Sequence, residues 1–253
     1  MLKNFKEKIL NLRFKRKFKT YESCLKFCEK HGTGYENILL TNYRYEKFKA
    51  HPEKFTLRND YSHLQNILDI FSSRSSKEIN ILSIGDGFGE TYYFLKSLLN
   101  INFNITVLES PEVCKKPNLV EEITFVDDVK KLENKYFDII FTRGTINFIP
   151  NPYSFLESVE QLKSEFLIFT LNMFSKNEDI IMSQYARLSY NGFGEHLLSY
   201  GDPYILYAFQ SINQKKFIKI FENNYKIYFS EKIKDVSING DFFNSTHYIF
   251  KKN

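Results

Sequence analysis

Three glycines in five positions, Gly85, Gly87 and Gly89, fall in the stretch ILSIGDGFGETYYFLKS, where a short apolar run gives way to a helical pattern. A strand-to-helix turn of this kind offers a path with no Cβ in the way. It aims backbone amides at a polar or anionic group at the helix start. Asp86 lies inside the loop. The spacing is not the dinucleotide fingerprint, which needs glycine where Glu90 stands, and no phosphate-cradling Gly-Lys-Ser/Thr loop occurs. Glu90 would set a negative charge near a pyrophosphate, which argues against NAD, FAD and nucleoside triphosphates.

Glu109 lies 20 positions beyond Gly89 and ends the β-rich run NITVLE. A carboxylate there can accept hydrogen bonds from both hydroxyls of a ribose, so the pair of features points to a nucleoside. Asp127 and Asp128 end the next run, where a side chain or backbone amide meets an adenine edge. After the fourth run come Thr142, Arg143 and Asn147. Arg143 suits a phosphate or carboxylate on an acceptor, with a surface ion pair as the plain alternative.

The chain holds five histidines. His31, His51 and His63 fall in the early helical part and His247 in a late hairpin. His196, in YNGFGEHLLSYGDPY, follows the fifth run and is the expected base, with Glu195 as alternative; an ordinary hydrogen-bonding histidine is the rival reading. Tyr190 and Tyr200 among the nearby glycines suit an acceptor-covering lid, or a plain loop. Arg58, in LRND, would reach the cofactor carboxylate if the early helices fold over the site.

These residues need an α/β frame. β-rich runs at 79–84, 104–109, 122–126, 136–142 and 165–171 alternate with expected helices at 89–100, 111–117, 152–164 and 177–190. This alternation implies right-handed crossovers and a mostly parallel sheet covered on both faces. A helix at 207–224 then precedes strands at 225–233 and 244–252, whose linker carries Asn239-Gly240, a hairpin turn signal. The expected divisions are a basic amphipathic segment at 1–20, a helical lead-in at 21–75 and the main domain at 76–253.

The order ILSIGDGFG, TVLESPEV, ITFVDD, FDIIFTRGTINFIPNPYSFLESV and the final helix with hairpin resembles the class I S-adenosylmethionine-dependent methyltransferases. YESCLKFCEKHGTGYEN and SQYARLSY with GDPY are similar to a bacterial methyltransferase family associated with surface-polysaccharide (capsule or O-antigen) loci. The resemblance spans about 21–230. It implies a Rossmann-like sandwich, a mostly parallel seven-stranded sheet ending in an antiparallel hairpin. S-adenosylmethionine, leaving as S-adenosylhomocysteine, would be held by Arg58, Gly85, Asp86, Gly87, Gly89, Glu109, Asp127, Asp128 and Thr142. Arg143, Asn147, Tyr190 and Tyr200 would face a small-molecule or glycan-precursor acceptor, methylated on O or N. The family's usual acid two positions before the first glycine is here Ser83, and Asp86 takes part of its polar role. A catalytically silent scaffold and a nucleotide-dependent oxidoreductase are the rival readings.

Composition bounds the rest. The 253 residues are 43% hydrophobic, enough for a full core. With no apolar run of membrane-spanning length and no signal-peptide pattern, a soluble cytoplasmic protein is expected. Cys24, Cys28 and Cys114 are too few and scattered for a disulfide framework; Cys24 and Cys28 read as helix-face residues, and no metal is expected. The net charge of +5 hides eight Lys or Arg against Glu7 in the first twenty residues, a local +7 that leaves −2 for the rest. With Leu2, Phe5, Ile9 and Leu12 at helical spacing, that segment suits peripheral contact with an anionic membrane face or acidic partner, or a solvated terminal helix. Nucleic acid is not expected, because the basicity does not continue across the body.

Overall fold

The computed structural model describes residues 14–32, 37–50, 63–64, 66–69, 78–97, 102–162, 164–192, 195–238 and 241–253. In chain order its strands are β1 (Lys17–Phe18), β2 (Ile79–Ile84), β3 (Phe103–Leu108), β4 (Ile123–Val126), β5 (Ile139–Arg143), β6 (Phe166–Ser175), β7 (Ile180–Arg187), β8 (Tyr204–Asn213), β9 (Tyr225–Ile238) and β10 (Asp241–Lys252). Its helices are α1 (Tyr21–His31), α2 (Ile38–Ala50), α3 (Glu90–Lys96), α4 (Pro111–Cys114), α5 (Pro152–Gln161) and α6 (Gln214–Phe221).

The expected sandwich is present. β4, β3, β2, β5 and β6 lie side by side and parallel, and β10 then β9 add antiparallel beyond β6. The parallel strands are nearly continuous in apolar residues because helices cover both faces. One face packs Leu82, Ile140, Leu167 and Phe169 against α5 and α6. The other packs Ile81, Val107, Phe141 and Ile168 against α3 and against Leu64, Ile67 and Leu68 of the lead-in. β2 has β3 on one side and β5 on the other, so the connections leaving β2 and β4 run in opposite senses. The crevice this opens at the carboxyl ends is where such sheets bind ligands.

Two expected helices are corrected. Residues 180–187 form β7, and residues 204–213 form β8, so only 214–221 of the span 207–224 is helical. The reason is a two-residue period with both faces covered. Ile181 and Tyr185 face the cluster of Cys24 and Cys28, whereas Met182 faces Phe209 and Phe243. Two apolar faces mimic helical spacing in sequence, and only the partners decide. α6 begins where the Asn213 side chain accepts from the Lys216 amide at 3.0 Å.

β7 and β8 pair antiparallel over eight residues, β1 adds to β7, and β8 joins the last two residues of β6. This second ladder seats α1 through the fully buried Cys24 and Cys28, both free thiols. In the basic segment, Phe14 is buried and Lys17–Phe18 is strand. Leu2, Phe5, Ile9 and Leu12 lie outside the described residues, as does Arg58. Among the described residues no helix is long and apolar enough to cross a membrane.

Candidate active site

A cleft of about 540 Å³ opens at the carboxyl ends of β2, β3 and β5. Its walls come from the glycine turn, the ends of β3 and β4, the β5 end, α2 and the loop after β7. A more open depression of the same volume, lined by Tyr92, Lys96 and 119–122, lies along α3 and includes none of the glycine turn or strand ends.

The turn is as tight as its glycines imply. Gly85, Gly87 and Gly89 have φ of +71°, +63° and +97°. A Cβ on Gly85 would collide with the Thr145 side chain, whose hydroxyl donates to the Ile84 carbonyl at 3.2 Å. Gly87 donates its amide to Glu109 Oε1 at 2.9 Å, and Glu109 Oε2 accepts from Ser110 N at 2.7 Å. Two amides therefore fix the carboxylate at the cleft wall, and each oxygen keeps a second lone pair for a hydroxyl.

Asp86 turns away from the cleft. Both its oxygens accept from the Thr91 amide, at 3.1 and 3.0 Å, and the Thr91 hydroxyl donates to it at 2.7 Å. Ser83 Oγ lies 3.3 Å from that same hydroxyl, so Ser83 and Asp86 share one buried anchor. Burial pushes the Asp86 carboxyl up to about 8, with Glu90 and Glu109 adding repulsion and Thr91 opposing. Asp86 thus ties the turn to α3 rather than offering a ligand contact.

The lining includes Gly85, Glu109, Asp127, Asp128, Arg143 and Tyr190. Asp127 is held by Lys131, which keeps its carboxyl below the usual range, and Asp128 accepts from Lys130 N at 2.9 Å. Five expected contributors stand elsewhere. Thr142 is 2% exposed, its buried hydroxyl lacking a hydrogen-bond partner among the described residues. Asn147 donates to Met173 O and Gln210 O, both at 2.8 Å, and accepts from Met173 N at 2.9 Å, so it joins β6 to β8. Tyr200 packs edge-on against Tyr43. His196 spends Nδ1 on the Tyr43 hydroxyl at 2.8 Å, and neither it nor the exposed Glu195 lines the cleft. His196 therefore stands off the cleft, with its ring held by Tyr43.

Sequence reasoning places α2 in the helical lead-in but singles out neither Arg44 nor Lys47. Arg44 lies over the glycine turn, its Nη2 4.0 Å from Glu90 Oε1, and both line the cleft. One turn on, Lys47 is 1% exposed and donates to the carbonyls of Asn191 and Gly192 at 3.2 and 3.1 Å. Burial holds its pKa below the ordinary lysine value. Lys47 therefore clamps the loop after β7 onto α2. In sequence both residues read as the polar face of a solvated helix, and no local signal sets them apart.

No protein-family model and no curated protein matches the chain. Among solved structures it is similar to the N-terminal domain of EvdMO1 in the presence of SAH and D-fucose, with TM-score 0.47, 13% identity, and coverage of 78% of this chain and 84% of that one. It is also similar to the Burkholderia thailandensis 1,6-didemethyltoxoflavin N1-methyltransferase with its acceptor and S-adenosylhomocysteine bound: TM-score 0.46, 14% identity, coverage 85% and 88%. A third is CalS10, an amino pentose methyltransferase from Micromonospora echinaspora: TM-score 0.47, 8% identity, coverage 83% and 96%. At these values nothing about ligand or acceptor transfers to this chain.

Proposed function

We infer that the chain is an S-adenosylmethionine-dependent methyltransferase acting on an oxygen or nitrogen of a surface-polysaccharide precursor, a sugar or phosphorylated building block. The observation that carries the reading is Glu109, fixed by Gly87 and Ser110 amides at the switch point of the sheet with acceptor capacity to spare. Ribose hydroxyls are the ligand chemistry that this arrangement suits. The turn offers a cradle that a Cβ would fill, and Asp127 and Asp128 stand where an adenine edge would lie.

The departure at Ser83 has a replacement. Glu90 and Arg44, side by side on the wall, match the ammonium and carboxylate of an amino acid. Arg44 is thus proposed for the cofactor carboxylate beside Arg58, which lies outside the described residues. When bound, the sulfonium supplies an already electrophilic methyl group, so the protein mainly has to align the acceptor and exclude water. Arg143, at the β5 end of the cleft, suits an anionic group on the acceptor. The polysaccharide context rests on sequence resemblance alone.

The test is transfer of isotope-labelled methyl from S-adenosylmethionine to a panel of nucleotide sugars and sugar phosphates, with NAD⁺ binding measured alongside. Labelled product supports the reading. Tight NAD⁺ binding without S-adenosylhomocysteine binding would select the oxidoreductase, and cofactor binding without transfer to any precursor would favour the silent scaffold.

A further inference from the structure

Beyond the cleft, three titratable side chains are brought together by long-range structure. His247 of β10 and Glu231 of β9 are direct partners across the antiparallel ladder. His63, from the lead-in, sets its ring centroid 4.5 Å from that of His247 and its Nε2 3.6 Å from Glu231 Oε2. His247 is buried and His63 half-buried.

The backbone is bent to make this group. Thr246 pairs with Asn172 and Tyr248 with Phe169, so Thr170 and Leu171 together oppose His247 in a bulge of β6. Leu171 has φ +55°, a left-handed conformation that costs a non-glycine residue about 1–2 kcal/mol. The gain is that the Leu171 amide donates to His247 Nδ1 at 3.3 Å. Bulges re-aim side chains beside active sites, and persistent backbone strain collects there. The same rung runs to the cleft. Thr170 pairs with Arg143, which lines it, and the Leu171 carbonyl lies 3.6 Å from where a Cβ on Gly144 would stand.

Protonation decides what the group can do. An amide only donates, so Nδ1 of His247 accepts and the neutral ring carries its proton on Nε2. That argues against a metal ion, although the three side chains offer donor atoms within 4.8 Å of one another. A ligating imidazole gives its lone pair to the metal and donates from its other nitrogen. At His63 the Glu231 carboxylate favours the proton on Nε2, leaving the Nδ1 lone pair as a base. Burial lowers the His63 pKa, with Glu231 opposing, which favours the neutral ring.

We propose that His63 is the proton acceptor for a hydroxyl-bearing methyl acceptor, with Glu231 as its positioning residue. The proposal rests on the methyl-transfer reading and extends the acceptor subsite along the rung from Arg143 to His247. In the step, a hydroxyl oxygen lone pair forms the new C–O bond to the methyl carbon as the C–S bond breaks. That bond's electron pair goes to sulfur, giving S-adenosylhomocysteine. The hydroxyl proton passes to His63 Nδ1, and the imidazolium faces Glu231 until water removes it.

The test uses the full chain saturated with S-adenosylhomocysteine and ring-¹⁵N histidine NMR from pH 5 to 9. Among the described residues His63 faces Glu231 and His247, so Glu231→Gln is titrated beside wild type. Expected are an Nε2–H tautomer at both His63 and His247, a His63 pKa below the ordinary value, and a further drop in Glu231→Gln. His63 as the Nδ1–H tautomer, or charged at pH 7, overturns the proposal. For any sugar phosphate that wild type methylates, His63→Ala should transfer about 10²- to 10⁴-fold more slowly, lose the acid limb of the pH profile and regain rate with added imidazole. An unchanged rate or no imidazole rescue overturns it; if no sugar phosphate is methylated, the tautomers decide. Absent cofactor binding would fail the methyl-transfer reading separately.

Discussion

The two ends of the cleft are built in opposite ways. The donor end draws on one short stretch: the turn at Gly85–Gly89 and the carboxylate of Glu109 come from adjacent parallel strands and bond directly to each other. The opposite wall is assembled from α2, the β5 end and the loop after β7, and the proposed His63 subsite would add the β6 bulge and the β9–β10 hairpin. The first can be disturbed at a single residue. The second depends on contacts between segments far apart in sequence, such as Lys47 on the carbonyls of 191–192, 144 and 145 residues away.

Substitutions can break that contrast. The largest effect is expected at the donor end. Gly85→Ala places a Cβ into Thr145 at φ +71°, combining left-handed strain with overpacking. A loss of about 4 kcal/mol in denaturant unfolding follows, together with loss of S-adenosylhomocysteine binding. Next is the seam between β6 and β8. Asn147→Ala strips three partners from buried backbone groups and should cost about 3 kcal/mol. A substrate-binding Asn147 would instead leave stability unchanged.

Asp86 gives a pH signature. Its folded carboxyl titrates at about 8, above its unfolded value, so between about pH 4 and 8 the folded state holds a proton that the unfolded state has lost. Stability therefore falls as pH rises through that window, by at most about 1.4 kcal/mol per pH unit, and levels off above it. Asp86→Asn should remove this component of the thermal-melt slope while keeping an oxygen for the Thr91 amide. The smallest effect is at Lys47→Met. Two carbonyls lose a donor, but a buried ammonium is also removed, so about 1 kcal/mol of stability is lost. Amide exchange should quicken at 190–192 more than in the parallel sheet.

Much of the frame was legible in the sequence because parallel strands covered on both faces are short apolar runs between helices. The runs at 79–84 and 122–126 agree with β2 and β4 to within a residue. β7 and β8 were not legible: both their faces are apolar, and a period of two then passes for a period of 3.6. The site divides likewise. Gly85 and Glu109 announce themselves through residue type and strand position. Asn147 looked polar and exposed, yet its amide is consumed by β6 and β8. His63 and His247 carried no local signal, since a bulge at Leu171 and a ladder to Glu231 bring them together.

The role proposed for Glu109 and the glycine turn is to hold the ribose of a methyl donor. Calorimetric titration with S-adenosylhomocysteine tests it most directly, in wild type and in Glu109→Ala of equal stability. Micromolar binding to wild type is expected, weakened at least tenfold, or about 1.4 kcal/mol, in Glu109→Ala. No binding by wild type, or equal affinity in both proteins, would contradict it.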